Sequence, residues 1–243
     1  MAVELTLTRL AGTENSQRLL IVGPSLGSSV SQLWRTCAEQ LDDVEVIGWD
    51  LPGHGNGKNA TGPFTVQDIA NALERPTPDR PTAYAGVSFG GAVGLELAMK
   101  GVFDQVFCIA AASRIGDPMM WHERAELVRK AGTSVLVEGA SRRWFAPGFI
   151  DREPAVAGAM LRALTEVDDD SYAWACEALA GFQAEEVERS VHAIAGRHDV
   201  VVPPEAMEQL NAASFHVIED CGHLPPVEKP GAVAGVLAGE WAK

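Results

Sequence analysis

Positive charge is scarce in this chain: 19 lysines and arginines stand against 33 aspartates and glutamates, for a net charge of −14 over 243 residues. That argues against DNA, RNA or an anionic membrane surface as partner, because each is held by a basic face. It also means that an anionic ligand would need a few arginines to make a local positive spot against the overall field. Long apolar runs are missing as well; none approaches the roughly 18–20 residues that span a bilayer. The first ten residues, MAVELTLTRL, alternate apolar and polar like a strand. They hold no basic stretch followed by an apolar one, so no signal peptide is read and a cytoplasmic location is expected. Cysteine is sparse and unpatterned: Cys37, Cys108, Cys176 and Cys221 contain no CxxC spacing. Reduced thiols are expected rather than a disulfide framework, with Cys108 a core filler in VFCIAAA. Six histidines lack ligand spacing, so no metal site is expected. Internal repeats and low-complexity linkers are absent too.

What is present fits one α/β domain with an insertion. The chain is 47 % hydrophobic and 21 % charged, as in an ordinary globular protein, and long enough to bury a full core. Strand-like runs at 18–23, 44–50, 82–87, 105–111, 190–196 and 213–220 alternate with helical stretches. The helices expected early are Gln32 to Leu41, Val66 to Leu73, and Phe89 to Lys100 closed by Gly101. Short apolar runs joined by helices point to a mostly parallel sheet with crossovers. Between 115 and 183 the rhythm changes to apolar residues at three- and four-residue spacing, with no comparable strand. The expected division is therefore a core of residues 1–114 and 184–243 and an inserted helical cap of residues 115–183. An insertion at the carboxyl end of a strand is well placed to cover a site.

The stretch AYAGVSFGGAVGLELAMKG (83–101) sets Ser88 between Gly86 and Gly90. With 24 glycines and 12 serines in the chain, about 0.1 accidental G-x-S-x-G matches are expected, so the motif alone is weak. Its context, a strand before and a helix after, is the one a nucleophile on a sharp turn requires. Such a turn has no room for a Cβ two residues either side of the serine, and Gly91 adds further space. A serine needs a base. His223, in GHLPPVEKP just after the last strand, is the best placed. His54, His122, His198 and His216 are weaker candidates, and a capping or solvated role is the bland alternative for His223. Asp199, just past the strand ending near 195, is placed to orient the imidazole, unless it is an ordinary loop aspartate. The order Ser88, Asp199, His223 is that of α/β-hydrolases and differs from the chymotrypsin and subtilisin orders. The oxyanion donors expected are the backbone N–H of Phe89 and that of Leu26 in the loop GPSLGSS. A serine hydrolase of the α/β-hydrolase fold is the reading on which these elements agree.

The chain also resembles the 3-oxoadipate enol-lactonases of the β-ketoadipate pathway over nearly its whole length. The resemblance is carried by GPSLGSS with LW at 33–34, by WDLPGHG (49–55), by RRWFAPGF (142–149) and DDSYAWACEALAGF (169–182), and by the triad positions. Asn56 and Gly57 depart from the serine common after the family's glycine turn. No fused decarboxylase follows EWAK, so only the lactonase step is expected. The resemblance implies an anionic enol-lactone substrate, an acyl-enzyme on Ser88, and no metal or organic cofactor. Arg143 is the candidate carboxylate contact, with Arg142 and Arg114 behind it; a solvated helix face is the alternative for Arg142 and Arg143. Ser25, Trp34 and Trp144 complete the candidate substrate-binding set. For Trp34, Trp144 and Trp174, core packing competes with a place in the pocket wall. Within enzymes the rivals are a general carboxylesterase or a cofactor-free perhydrolase; outside them, a binding module that kept the fold.

Overall fold

Strands with no polar face must be covered on both sides, which favours a parallel sheet between helices. The computed structural model describes residues 3–73, 80–184 and 191–241. Ser190, expected to open a strand, lies outside the described residues, as do 185–189, 242–243 and the first two residues of the chain. Among the described residues one sheet holds β1 (Thr6–Ala11), β2 (Arg18–Gly23), β3 (Val44–Asp50), β4 (Thr82–Val87), β5 (Gln105–Ile109), β6 (Val191–Gly196) and β7 (Ser214–Ile218). Their order is β1-β3-β2-β4-β5-β6-β7. β1 runs antiparallel to β3 at one edge, and all other pairs are parallel. Every residue of the central β4 is buried, whereas β1 alternates exposed and half-buried positions as an edge strand should.

The helices are α1 (Val30–Ala38), α2 (Val66–Ala72), α3 (Phe89–Lys100), α4 (Pro118–Ala131), α5 (Val137–Trp144), α6 (Phe149–Arg152), α7 (Pro154–Thr165), α8 (Asp169–Ala180), α9 (Pro204–Glu208), α10 (Pro225–Glu228) and α11 (Pro230–Trp241). Between β5 and β6 lie α4 to α8 and a 3-10 turn at Thr133–Leu136, with no strand among the described residues. α1 begins earlier than its apolar pattern suggests because the Ser29 side chain caps it, accepting from Gln32 N. β5 stops at Ile109 rather than 111 because Ala110 turns to φ 50° and sends its N–H to Ile194 O at 2.9 Å.

The sheet order reverses direction at β2, which has β3 on one side and β4 on the other. Crevices at such switch points, beyond the carboxyl ends of the strands, are where open α/β sheets hold ligands. Here Gly23, at the end of β2, is paired in register with Gly86 of β4. The loop after β2 therefore emerges beside the turn that carries Ser88.

Candidate active site

Ser88 occupies the N-cap of α3 with φ 55° and ψ −109°, a conformation that a residue with a side chain rarely adopts. Such backbone typically costs about 1–3 kcal/mol and persists only where the surroundings enforce it. The surroundings do so here. Ser88 N–H donates to Ile109 O at 2.8 Å, and Gly90 N–H donates to Pro24 O at 2.9 Å. The Tyr84 hydroxyl donates to Gly90 O at 2.8 Å. A Cβ on Gly86 would stand 2.1 Å from Gly90 O, and one on Gly90 would stand 2.7 Å from the Gly23 carbonyl carbon. Both glycines are thus demanded by backbone contact.

The loop after β2 closes a turn in which Ser28 N–H and Oγ both reach Ser25 O, at 3.1 and 2.8 Å. Gly27 sits in it at φ 84°. Among the described residues neither Leu26 N–H nor Phe89 N–H donates to a protein acceptor, which leaves both available to a developing oxyanion. Trp34 does not join them. It is fully buried in α1, and its indole N–H donates to Gly23 O at 2.9 Å. The expectation of Trp34 as a substrate contact is corrected: it packs in the core and braces the end of β2.

Asp199 follows β6. Its Oδ1 accepts from Val201 N at 2.8 Å and Val202 N at 3.0 Å. Its Oδ2 accepts from His223 Nδ1 at 2.8 Å across 24 residues of chain. Both side chains are buried. With Nδ1 carrying the proton toward the carboxylate, Nε2 of the neutral ring is the basic nitrogen. His223 N–H donates in turn to Trp144 O at 2.9 Å, which docks the histidine loop against α5. His223 and Ser88 line the same cavity. No hydrogen bond joins them among the described residues; catalytic contacts of this kind often tighten only when substrate is bound.

That cavity has a volume of about 150 Å³. Ser25, Leu26, Ser88 and His223 line it from the sheet and its loops. Trp121 and Arg124 of α4, Arg143 and Trp144 of α5, and Tyr172 of α8 line it from the helices between β5 and β6. Two arginines therefore line a cavity that, among the described residues, no carboxylate lines. The Arg124 guanidinium lies 5.0 Å from the Trp121 ring centroid, a cation–π distance. Arg143 Nε donates to Gly139 O at 3.1 Å. Burial, together with the charge of Arg124, pushes the pKa of Arg143 below its ordinary value. Burial raises that of the Tyr172 phenol, which stays neutral.

The runner-up arginines lie elsewhere. Arg142 is exposed and paired with Glu138, one helical turn away, and Arg114 donates to Gln183. Trp174 packs half-buried on the core, away from the cavity. Nor do His54, His122, His198 or His216 line the cavity. His54 is fully buried, donates to Pro52 O at 2.9 Å and stacks on Tyr172; burial pushes its pKa down to about 4. Arg124, Trp121 and Tyr172 went unread in the sequence. For Arg124 a signal existed: it falls in register with Trp121, Ala125 and Val128, the buried face of α4. Among the described residues no cluster of three His, Cys, Asp or Glu side chains is placed to hold a metal ion, and no helix is long and apolar enough to cross a membrane.

Comparison with known proteins places the chain in a family. The model of the alpha/beta hydrolase family matches residues 19–236. The chain is 31 % identical over 227 residues to 3-oxoadipate enol-lactonase 2 of Acinetobacter baylyi, covering 88 % of this chain and 84 % of that protein. The enol-lactonase from Burkholderia xenovorans LB400 superposes with a TM-score of 0.89 at 24 % identity, covering 100 % of this chain and 99 % of the other. A malate-bound thermophilic esterase from Thermogutta terrifontis gives 0.83 at 22 % identity, over 99 % and 93 % of the two chains. At those identities the two structures speak for the fold alone. The chain belongs to the alpha/beta hydrolase family, and within it resembles the 3-oxoadipate enol-lactonases.

Proposed function

We propose that this hydrolase opens 3-oxoadipate enol-lactone to 3-oxoadipate, the lactonase step of the β-ketoadipate pathway, in the cytoplasm. The observation that carries the substrate class is the pair Arg124 and Arg143 on a carboxylate-free cavity, in a chain of net charge −14. Two cations held close together and partly desolvated are unfavourable unless an anion joins them. A planar guanidinium suits two-point recognition of a carboxylate. The 31 % identical Acinetobacter enol-lactonase supports the same choice.

In this reading residues 115–183 form the cap and supply the anion contacts, while the sheet supplies the chemistry. Ser88 Oγ attacks the lactone carbonyl as His223 Nε2 takes its proton. Leu26 and Phe89 N–H hold the oxyanion. Asp199 fixes the tautomer of His223 and stabilises its charged form. Ring opening expels an enolate, which takes the proton back from His223 and settles as the ketone. Water activated by the same histidine then cleaves the acyl-enzyme. Trp144 and Ser25 shape the cavity around the ring.

The test is the loss of enol-lactone absorbance with wild type, Ser88→Ala, Arg124→Ala and Arg143→Ala, beside a neutral p-nitrophenyl ester. Turnover of the lactone should vanish in Ser88→Ala. Each arginine variant should raise KM for the lactone by about tenfold or more, as expected for loss of a charged hydrogen bond, and leave the neutral ester unaffected. Fast turnover of the neutral ester with the lactone untouched would sink the lactonase reading in favour of a general esterase.

A further inference from the structure

Glu228 ends the short helix α10, and its side chain turns inward until only 7 % of the residue is exposed. It lies in GHLPPVEKP, and nothing in the proposed chemistry uses it. Its two oxygens serve two different segments. Oε1 accepts from Gly222 N at 2.9 Å and from Leu224 N at 3.4 Å, the residues on either side of His223. Oε2 accepts from Ala146 N at 2.7 Å, two residues past Trp144. The two backbones touch there: a Cβ on Gly222 would stand 2.7 Å from Ala146 N. His223 N–H to Trp144 O is a further link between the same segments.

A buried carboxyl group is costly unless its lone pairs are met. Burial raises the pKa of Glu228, and its three backbone N–H donors oppose that. An apolar side chain could fill the same space without this penalty, but it could not gather donors from two segments at once.

We infer that Glu228 is a positioning residue that fastens the loop of the base to the segment carrying Arg143 and Trp144. It sets the distance between His223 and the guanidinium that meets the substrate's charge. The inference rests on the reading of His223 as base and Arg143 as anion contact.

Two variants loosen the tie from its two ends. Glu228→Gln keeps the shape but turns an NH₂ group toward one set of donors. Ala146→Pro removes the donor to Oε2 and sets a ring carbon against that oxygen, so the carboxylate must give way, while Phe145 is already extended, as a residue before proline should be. Each is assayed on a matched pair of p-nitrophenyl esters, the succinate monoester with its free carboxylate and the neutral butyrate. Labelling of Ser88 by a neutral fluorophosphonate reports the base alone. Glu228→Gln should slow labelling and raise KM for the anionic ester relative to the neutral one, each by about tenfold. Ala146→Pro should raise the anionic KM relative to the neutral one by a similar factor, with labelling slowed no more than in Glu228→Gln. That rise should disappear in an Arg143→Ala background, because coupled residues are non-additive. Equal shifts for both esters, or a rise that persists without Arg143, would overturn the inference. If Arg143→Ala alone leaves the anionic KM unchanged, the anion reading fails instead. Labelling in Glu228→Gln then decides the histidine arm: slowed labelling upholds it and wild-type labelling overturns it. Should Glu228→Gln fail to fold, Ala146→Pro decides on its own.

Discussion

Replacing Asp199 by asparagine tests the orientation of His223 with almost no change of shape. Oδ1 holds two backbone donors, Val201 N and Val202 N, and Oδ2 holds one, His223 Nδ1. An asparagine has a single oxygen to place. Facing its NH₂ group toward Val201 and Val202 would strand two buried N–H donors, at about 1–3 kcal/mol each. The amide oxygen therefore stays with the backbone, and the NH₂ group points at His223. Nδ1 must then accept, the ring proton moves to Nε2, and Ser88 loses its base. The loss in kcat should be about 10⁴-fold, the scale set by the wrong tautomer in other triads and equivalent to about 5.5 kcal/mol in the barrier. Because both backbone bonds survive, the melting temperature should barely move. The assay is kcat on the enol-lactone or a p-nitrophenyl ester, with a thermal melt alongside. A folded Asp199→Asn enzyme within tenfold of wild type would refute the reasoning.

Other outcomes follow from the same contacts. Gly86→Ala puts a methyl group 2.1 Å from the Gly90 carbonyl oxygen, a backbone atom that cannot swing away. It should cost at least about 1–3 kcal/mol, seen as roughly 2–4 °C of melting temperature for each kcal/mol. Buried neutral His54, with its pKa lowered from 6.5 to about 4, makes the unfolded chain the stronger proton binder between those values. Its contribution is full above pH 6.5 and is lost as pH falls toward 4, by about 3 kcal/mol. His54→Asn keeps a donor for Pro52 O but cannot titrate, so its acid denaturation should lose that part of the slope; an unchanged slope would count against a buried neutral ring. All four cysteines are buried, with Cys37 and Cys176 pushed up to about 12 and Cys108 and Cys221 also raised by burial. Ellman's reagent at pH 8 should therefore find no fast thiol in the native protein and four after denaturation.

The parts of the fold that could be read from the chain are those written locally. A strand, a serine between tight glycines and a helix are neighbours in sequence, and the crowding that requires Gly86 and Gly90 acts within a few residues. Asp199 and His223 could be paired because each follows a strand and strand order constrains where such loops emerge. Trp34 could not be placed, because the same tryptophan serves a core or a cavity according to which face of α1 meets the sheet. Arg124 was hidden for a related reason. Only the packing of α4 against α8 brings its guanidinium toward Arg143, and no spacing along the chain encodes that approach. Glu228 is the extreme case: a residue type that reads as solvated becomes a buried tie through contacts with residues as far off as Ala146.

The cavity has two kinds of wall. Ser88 and His223 follow strands, while Arg124, Arg143 and Tyr172 come from three separate helices between β5 and β6. Substitutions on those helices leave the strained turn and the histidine pair untouched. On the proposed reading such a site can drift between substrates by single steps, since a change that weakens the grip on one charge need not disturb the residues that would cleave the bond. The exception is the stretch near Ala146, where the two walls are tied; there, a lineage exploring new substrates would have the least freedom.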